Sequence, residues 1–155
     1  MRPFLAVLSL LIMAQTASAD ISARSADAQP IPNVIRQYFA ALDAVYREGS
    51  TTADIERLFD LVNDDVRYVH RAYDADFGRD DWFAAFERNR RNGLYAKSAT
   101  ECTTITNAIP GNGYAAVEYA LGDNASGECV PADNERLLVV FKIDDGKLSL
   151  IEELW

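Results

Sequence analysis

The sequence has one histidine, two cysteines and no basic run after its first positions. A single histidine and the absence of a Cys-x-x-Cys motif argue against a zinc site. The acidic pair Asp74 and Asp76 lacks the glycine and the closing glutamate of an EF-hand loop, so no metal is expected. There is no nucleophile elbow, phosphate loop or dinucleotide fingerprint, and no cofactor is expected. The formal net charge of −9, without a basic run, argues against nucleic acid as a partner.

Long apolar runs are also scarce, and the one that stands out lies at the start, from Phe4 to Ala14. Arg2 precedes it, and the small residues Ala17-Ser18-Ala19 follow it. This order predicts a secretory signal peptide over residues 1–19. The run is too short to span a bilayer comfortably, although a retained membrane anchor is the alternative. We therefore expect an exported protein, periplasmic or secreted, with no membrane segment after cleavage.

The remainder of the chain predicts one domain. Residues 20–30 are small and polar and predict a flexible lead-in. Residues 31–155 are enough for a single domain with its own core but too few for two ordinary domains. The composition, 49% hydrophobic, is that of a globular protein and not of a disordered one.

Export changes the interpretation of the two cysteines, because thiols outside the cytoplasm can remain oxidised. A Cys102–Cys129 disulfide would stabilise the fold by about 3–4 kcal/mol in the chain-entropy model. The alternative is two unrelated cysteines, one of them packed in the interior. We expect the disulfide.

Hydrophobic periodicity predicts three helices and five strands. The helices are an amphipathic one from Ile31 to Tyr46, a shorter one over Ile55 to Val62 behind a capping box at Thr51-Thr52-Ala53-Asp54, and a third from Arg79 to Asn92. Asn63-Asp64-Asp65 is expected to end the second helix, and Tyr73 to Gly78 and Gly122 to Asn134 to form loops. The strands are expected near Val66–His70, Ser98–Asn107, Tyr114–Leu121, Arg136–Ile143 and Lys147–Trp155. This order predicts an α+β domain with helices on one face of a bent sheet.

Particular segments in this order resemble the nuclear transport factor 2-like superfamily, and within it the SnoaL-like group. They are the helix ending near Tyr46, the Val66-Arg67-Tyr68-Val69-His70 strand, Phe77-Gly78-Arg79-Asp80 before the third helix, and the Asp144-Asp145-Gly146-Lys147 hairpin with Ile151-Glu152-Glu153-Leu154-Trp155. The resemblance implies a cone, in which a strongly curved antiparallel sheet wraps the N-terminal helices (a cystatin-like roll) and leaves a pocket. This superfamily contains isomerases, dehydratases, cyclases, epoxide hydrolases and members that only bind or dimerise, so the fold does not specify the function.

His70 is the first catalytic candidate. It shares a strand face with Val66 and Tyr68, and a histidine in an apolar pocket can act as a general acid or base near neutral pH. SnoaL-like cyclases and related dehydratases use a histidine and an aspartate around an enolisable substrate, so the resemblance implies such a role for His70. The alternative is a histidine that is hydrogen-bonded at a strand end. Asp74 and Asp76 are either partners that orient His70 or solvated charges before the third helix.

Glu118 is the second catalytic candidate, because small residues share its strand face and would leave room for a ligand. If Val117, Tyr119 and Leu121 face inward instead, Glu118 is a surface charge, and both orientations are open. Glu152 and Glu153 carry the same ambiguity, since adjacent strand residues face opposite ways.

Aromatic side chains are the candidates for lining a pocket, although most aromatics at helical spacing belong to a core. The candidate binding residues are Tyr38, Tyr46, Tyr68, Trp82 and Phe86.

Two functional hypotheses follow from these patterns. The first is a protein that binds a small, mostly apolar molecule and performs cofactor-independent acid–base chemistry of the isomerase, dehydratase or cyclase type. The second is a non-catalytic module that forms a homodimer through the outer face of its sheet. Candidates for that face are Arg67, Val69, Leu138 and Val140.

Overall fold

The structure, a computed structural model, describes residues 30–155. The predicted signal peptide over 1–19 and the predicted lead-in, except for Pro30, lie outside the described residues. Within 30–155, none of the helices combines the length and the apolar character needed to cross a bilayer.

The three predicted helices are present: α1 (Asn33–Tyr46), α2 (Thr52–Phe59) and α3 (Arg79–Arg91). The start of α2 is a capping box, in which the Asp54 carboxylate accepts hydrogen bonds from both the backbone N–H and the hydroxyl of Thr51 at 2.7 Å. Gly49, just beyond α1, has a φ of +79°, which favours glycine and ends the helical run.

Seven strands form one sheet in the order β2-β1-β7-β6-β4-β3, and β5 pairs with β4. Their bounds are β1 (Val62–His70), β2 (Ala75–Gly78), β3 (Glu101–Gly111), β4 (Tyr114–Asp123), β5 (Val130–Pro131), β6 (Leu137–Asp144) and β7 (Lys147–Glu153). The five predicted strands are confirmed as β1, β3, β4, β6 and β7. The sheet therefore accounts for every predicted strand and adds two short ones.

Three boundaries differ from the predictions. Asn63 to Asp65 belong to β1 and do not end a helix, because Val62 already pairs with Leu148 of β7. The predicted loop after His70 contains a 3₁₀ turn and the edge strand β2, and the predicted loop after Gly122 contains β5. Strands of four and two residues are too short to display the alternating pattern that reveals longer strands.

The predicted α+β architecture is confirmed, with an open, curled sheet around the helices. The sheet is mixed, since β1 and β7 run parallel while the other pairs are antiparallel. Its concave face and the helices enclose the core, whose fully buried members include Ile35, Ile55, Leu58, Phe141 and Ile151. Each such side chain contributes about 1.5–3 kcal/mol by leaving water.

The disulfide predicted between Cys102 and Cys129 is present and ties the loop that holds β5 to β3. Gly122 is required at this crossing, because a Cβ atom there would overlap the backbone carbonyl of Val130. The disulfide and this close approach together hold the β4–β6 connection against the sheet.

Candidate functional site

A cavity of about 750 Å³ lies between α1, α3 and the concave face of the sheet. Ten of its lining residues are aromatic: Tyr38, Phe39, Tyr46, Tyr68, Tyr73, Trp82, Phe86, Tyr95, Tyr119 and Trp155. Its polar and charged lining consists of His70, Asn89, Lys97, Glu101, Thr103 and Glu153. All five aromatic residues predicted to bind a ligand lie in this wall, and exposed Tyr73, Leu94 and Leu121 mark its mouth.

The aromatic side chains of the wall pack on one another, and the tyrosines among them contribute polar hydroxyl groups. Tyr68 stacks on Trp82 with ring centroids 4.7 Å apart, and Phe39 lies 4.9 Å from Tyr119. Burial raises the pKa of Tyr38, Tyr68 and Tyr119. These phenols therefore remain neutral near pH 7 and can donate hydrogen bonds.

Glu153, the last residue of β7, is the buried acid of the cavity, with 3% of its surface exposed. Its Oε2 accepts hydrogen bonds from the Tyr119 hydroxyl at 3.1 Å and from the Trp155 indole N–H at 2.7 Å. No residue in the described part of the chain donates to Oε1. Burial raises the pKa of Glu153 to about 7, although the two donors act in the opposite direction. A carboxyl group with this pKa can exchange protons near neutral pH.

His70 ends β1 and is 4% exposed, also on the concave face. The ring of Tyr73 lies 4.4 Å from the imidazole, and that of Trp155 lies 4.5 Å away and nearly perpendicular. Neither ring nitrogen has a hydrogen-bond partner among residues 30–155, and both are shielded from solvent. Burial lowers the pKa of His70, so the neutral imidazole is favoured.

Asp43 of α1 is a buried carboxylate of a different kind, because its oxygens are fully engaged. Oδ1 accepts from the Lys97 ammonium at 2.6 Å and from the Thr103 hydroxyl at 2.7 Å, and Oδ2 accepts from the Thr103 backbone N–H at 2.9 Å. These bonds attach α1 to β3 and to the segment before it. Asp43 therefore fixes the cavity wall and neutralises the one lysine that lines the cavity.

The other predicted catalytic residues lie elsewhere. Glu118 faces away from the cavity, accepts from the Thr106 hydroxyl at 2.7 Å and lies 3.9 Å from Arg136. Of the two orientations that the sequence left open for Glu118, the outward one is observed, because the buried Val117 and Tyr119 take the concave face of β4. Asp74 is exposed, with a φ of +49°, and does not line the cavity.

Asp76 does not orient His70 either. It lies on β2 and forms an exposed ion pair with Arg67 of β1. The side chains of Asp76 and His70 leave opposite faces of the sheet, since Asp76 pairs with Val69 and not with His70.

Glu153 was not among the predicted catalytic residues, although the sequence showed that either Glu152 or Glu153 faces inward. The signal that decides between them is the parallel pairing of His70 with Glu153, which puts both on one face. Glu152 takes the outer face and pairs with Arg71. Within residues 30–155, no group of three or more His, Cys, Asp or Glu side chains is arranged to hold a metal ion.

Comparison with solved structures identifies the architecture. A cystatin-fold protein from Novosphingobium aromaticivorans superposes with a TM-score of 0.53 at 12% identity, over 79% of this chain and 96% of its own. A protein with a ketosteroid isomerase-like fold from Catenulispora acidiphila gives 0.52 at 17% identity, over 81% and 87%. A SnoaL-like family member from Agrobacterium tumefaciens gives 0.51 at 13% identity, over 78% and 92%. This is the nuclear transport factor 2-like fold.

The sequence itself gives no closer relationship: no protein-family model matches it, and no curated protein is significantly similar to it. Identities of 12–17% establish the fold alone. In this example of the nuclear transport factor 2-like fold, the groups available for chemistry are the cavity residues, among which Glu153 is the buried acid.

Proposed function

We propose that the protein binds a small, mostly apolar molecule in its cavity and exchanges a proton with that molecule through Glu153, without a cofactor. The observation that carries this proposal is the buried Glu153, whose Oε1 is free while two donors hold Oε2. Its pKa of about 7 lets both protonation states be populated at neutral pH. The aromatic wall supplies apolar surface for the remainder of the ligand.

The proton exchange needs only the carboxyl group. The ionised Glu153 takes a proton from one atom of the ligand, the electron pair stays on the ligand, and the carboxylate becomes a carboxylic acid. Return of the proton to a second ligand atom gives an isomer and restores the carboxylate. The donors Tyr119 and Trp155 stabilise the ionised form and hold its orientation.

His70 is not assigned as the first proton acceptor. Its two ring nitrogens are shielded by Tyr73 and Trp155, whereas Glu153 presents a free oxygen in the cavity wall. The lowered pKa of His70 keeps it a neutral neighbour of Glu153.

Deuterium exchange tests the proton-transfer step. In D₂O, the protein should accelerate deuterium uptake at the α-carbons of 2-tetralone, a small apolar ketone, as followed by NMR. Replacement of Glu153 with Gln should remove that acceleration, because an amide cannot accept the proton. Glu152→Gln is the matched control, since Glu152 faces outward beside Arg71, and it should retain the acceleration.

The outcome of the exchange experiment separates binding from catalysis. Equal uptake rates with wild-type protein and with no protein would refute the proton-transfer step. Titration of 2-tetralone followed by the fluorescence of the cavity tryptophans, Trp82 and Trp155, reports binding independently. Absence of binding for this and other small apolar probes would refute the whole proposal.

A homodimerising module is the second candidate, and one observation favours it. Leu138 lies on the convex face with 42% of its surface exposed, and the half-buried Val140 lies on the same face. Light scattering of the wild type should then give the mass of a dimer, and Leu138→Glu should give the mass of a monomer. A wild-type monomer at high protein concentration would eliminate this candidate.

We also propose that the protein is exported and that the mature chain begins near Asp20. Mass spectrometry of the protein recovered from the producing cells and from their exterior tests this directly. An intact Met1–Trp155 mass in every fraction would contradict it.

A further inference from the structure

The charged side chains that line the cavity are mostly acidic. Its acids are Glu153 and Glu101, and its one Lys or Arg among residues 30–155 is Lys97. The Lys97 ammonium is already bound by Asp43 at 2.6 Å. A carboxylate or phosphate ligand would therefore meet no free positive charge in this wall and would lose its hydration without compensation.

Glu153 itself has no cationic partner in the described part of the chain. Its two hydrogen-bond donors, Tyr119 and Trp155, are both neutral, and both act on Oε2. The titratable groups that face it from the neighbouring elements are His70 and Tyr68 of β1, Tyr38 and Tyr46 of α1, and Tyr119 of β4. Burial favours the neutral form of each of these groups. When Glu153 ionises, its negative charge is therefore uncompensated within the cavity.

The wall around this carboxylate has the composition that binds organic cations. Tyr68, Trp82 and Tyr119 lie in it, and the electron-rich faces of such rings attract ammonium groups. An ammonium group that donates to the ionised carboxylate forms a hydrogen bond in which donor and acceptor carry opposite charges, whereas with an uncharged donor only the acceptor is charged.

We propose that the ligand is a mostly apolar organic amine whose protonated nitrogen lies against Oε1 of Glu153, inside the aromatic cavity. This inference rests on the ligand binding in the cavity, as proposed above, and it adds the charge of the ligand. Transfer of one N–H proton from the ammonium to Oε1 leaves a neutral amine and a carboxylic acid. The bound pair can therefore exchange a proton without separating charge in the cavity.

Three probes with a common skeleton test the charge requirement: 4-phenylbutylamine, 4-phenylbutanol and 4-phenylbutyrate. At pH 8 the wild-type protein should bind the amine about tenfold more tightly than the alcohol, as measured by calorimetry, because only the amine pairs with the ionised carboxylate. The butyrate should bind more weakly than the alcohol. At pH 5.5, where Glu153 is protonated, the preference for the amine over the alcohol should largely disappear.

The variants locate the effect. Glu153→Gln should lose the preference for the amine at pH 8 while it retains alcohol binding, and Glu152→Gln should keep the preference. If the wild type binds the amine and the alcohol with equal affinity at pH 8, the inference is overturned. This comparison uses only the wild type, so it does not depend on whether a variant folds. Alcohol binding without amine preference refutes only the amine, whereas no binding of any probe refutes the cavity proposal as well.

Discussion

Glu153 and His70 occupy paired positions on the parallel strands β7 and β1, and both side chains are buried on the concave face. No hydrogen bond joins them in the described structure, because the donors to Glu153 are Tyr119 and Trp155. Burial shifts the pKa of each toward the neutral form, upward for Glu153 and downward for His70. The cavity consequently holds two neighbouring titratable groups that burial holds toward their neutral forms, and the carboxyl of Glu153 titrates close to neutral pH.

Removing the Trp155 donor should raise the pKa of Glu153 above its value of about 7. In Trp155→Phe an aromatic ring remains, although a smaller one, while the indole N–H, which donates to the ionised carboxylate at 2.7 Å, is lost. A ¹³C NMR titration of the Glu153 carboxyl carbon measures the change. Leu154→Ala is the control, since this exposed neighbour does not line the cavity. A pKa that stays constant or falls in Trp155→Phe would show that the indole donor does not stabilise the carboxylate.

The raised pKa of Glu153 should make wild-type stability depend on pH in a defined direction. Between its ordinary value of 4.5 and about 7, the folded state binds more protons at Glu153 than the unfolded state does. Stability contributed by this group is therefore present at low pH and lost as the pH rises through about 7. Relative to Glu153→Gln, the wild type should lose on the order of 3 kcal/mol of unfolding free energy over this range.

Urea unfolding of wild type and Glu153→Gln at several pH values measures this difference. The comparison cancels other titrating groups, including His70, whose lowered pKa acts in the opposite direction below its ordinary value of 6.5. If the two stability profiles run parallel from pH 4.5 to pH 8, Glu153 does not titrate as a buried group.

Replacing Asp43 with Asn should destabilise the fold by about 3 kcal/mol, because the amide leaves the Lys97 ammonium without its counter-charge. Asp43 also accepts two hydrogen bonds from Thr103, so the attachment of α1 to β3 weakens at the same time. Denaturant unfolding measures the loss. The double variant Asp43→Asn/Lys97→Met removes the unpaired charge and should recover part of it. A double variant less stable than Asp43→Asn would contradict the ion-pair explanation.

Breaking the Cys102–Cys129 disulfide should lower the unfolding free energy by about 3–4 kcal/mol, since the unfolded chain regains the freedom of the closed loop. The double variant Cys102→Ala/Cys129→Ala and the reduced wild type should show similar losses in urea. Adding a reductant to the double variant should have no effect. Two free thiols in denatured, unreduced wild-type protein would contradict the presence of the bond.

The sequence predicted most of the fold, because the elements that matter repeat their pattern over many residues. The helical spacing in α1 and the strand alternation in β4, β6 and β7 are local signals, and each element lies close to its predicted position. Strands β2 and β5 were missed, since four and two residues are too short to display a period.

The site was only partly predictable, because the sequence does not show which strand glutamates face the cavity. Glu118, Glu152 and Glu153 are all strand residues, and local alternation does not tell which face is concave. For Glu118 the buried Val117 and Tyr119 decide the face, and for Glu153 the parallel pairing with His70 decides it. The part of the aromatic wall that lies on α1 and α3 was easier to predict, because large aromatic residues on the apolar face of an amphipathic helix pack toward the interior.

By itself, then, the sequence determined the helices, the main strands and the aromatic character of the interior. These properties follow from side-chain polarity at short spacing. Only the tertiary structure decided that Glu153 lies beside His70 in a cavity, with Glu152 and Glu118 outside it. For Glu153 and Glu152 that choice depends on the pairing of β1 with β7, two strands that are neighbours in the sheet but far apart in the sequence, so that no local pattern relates them.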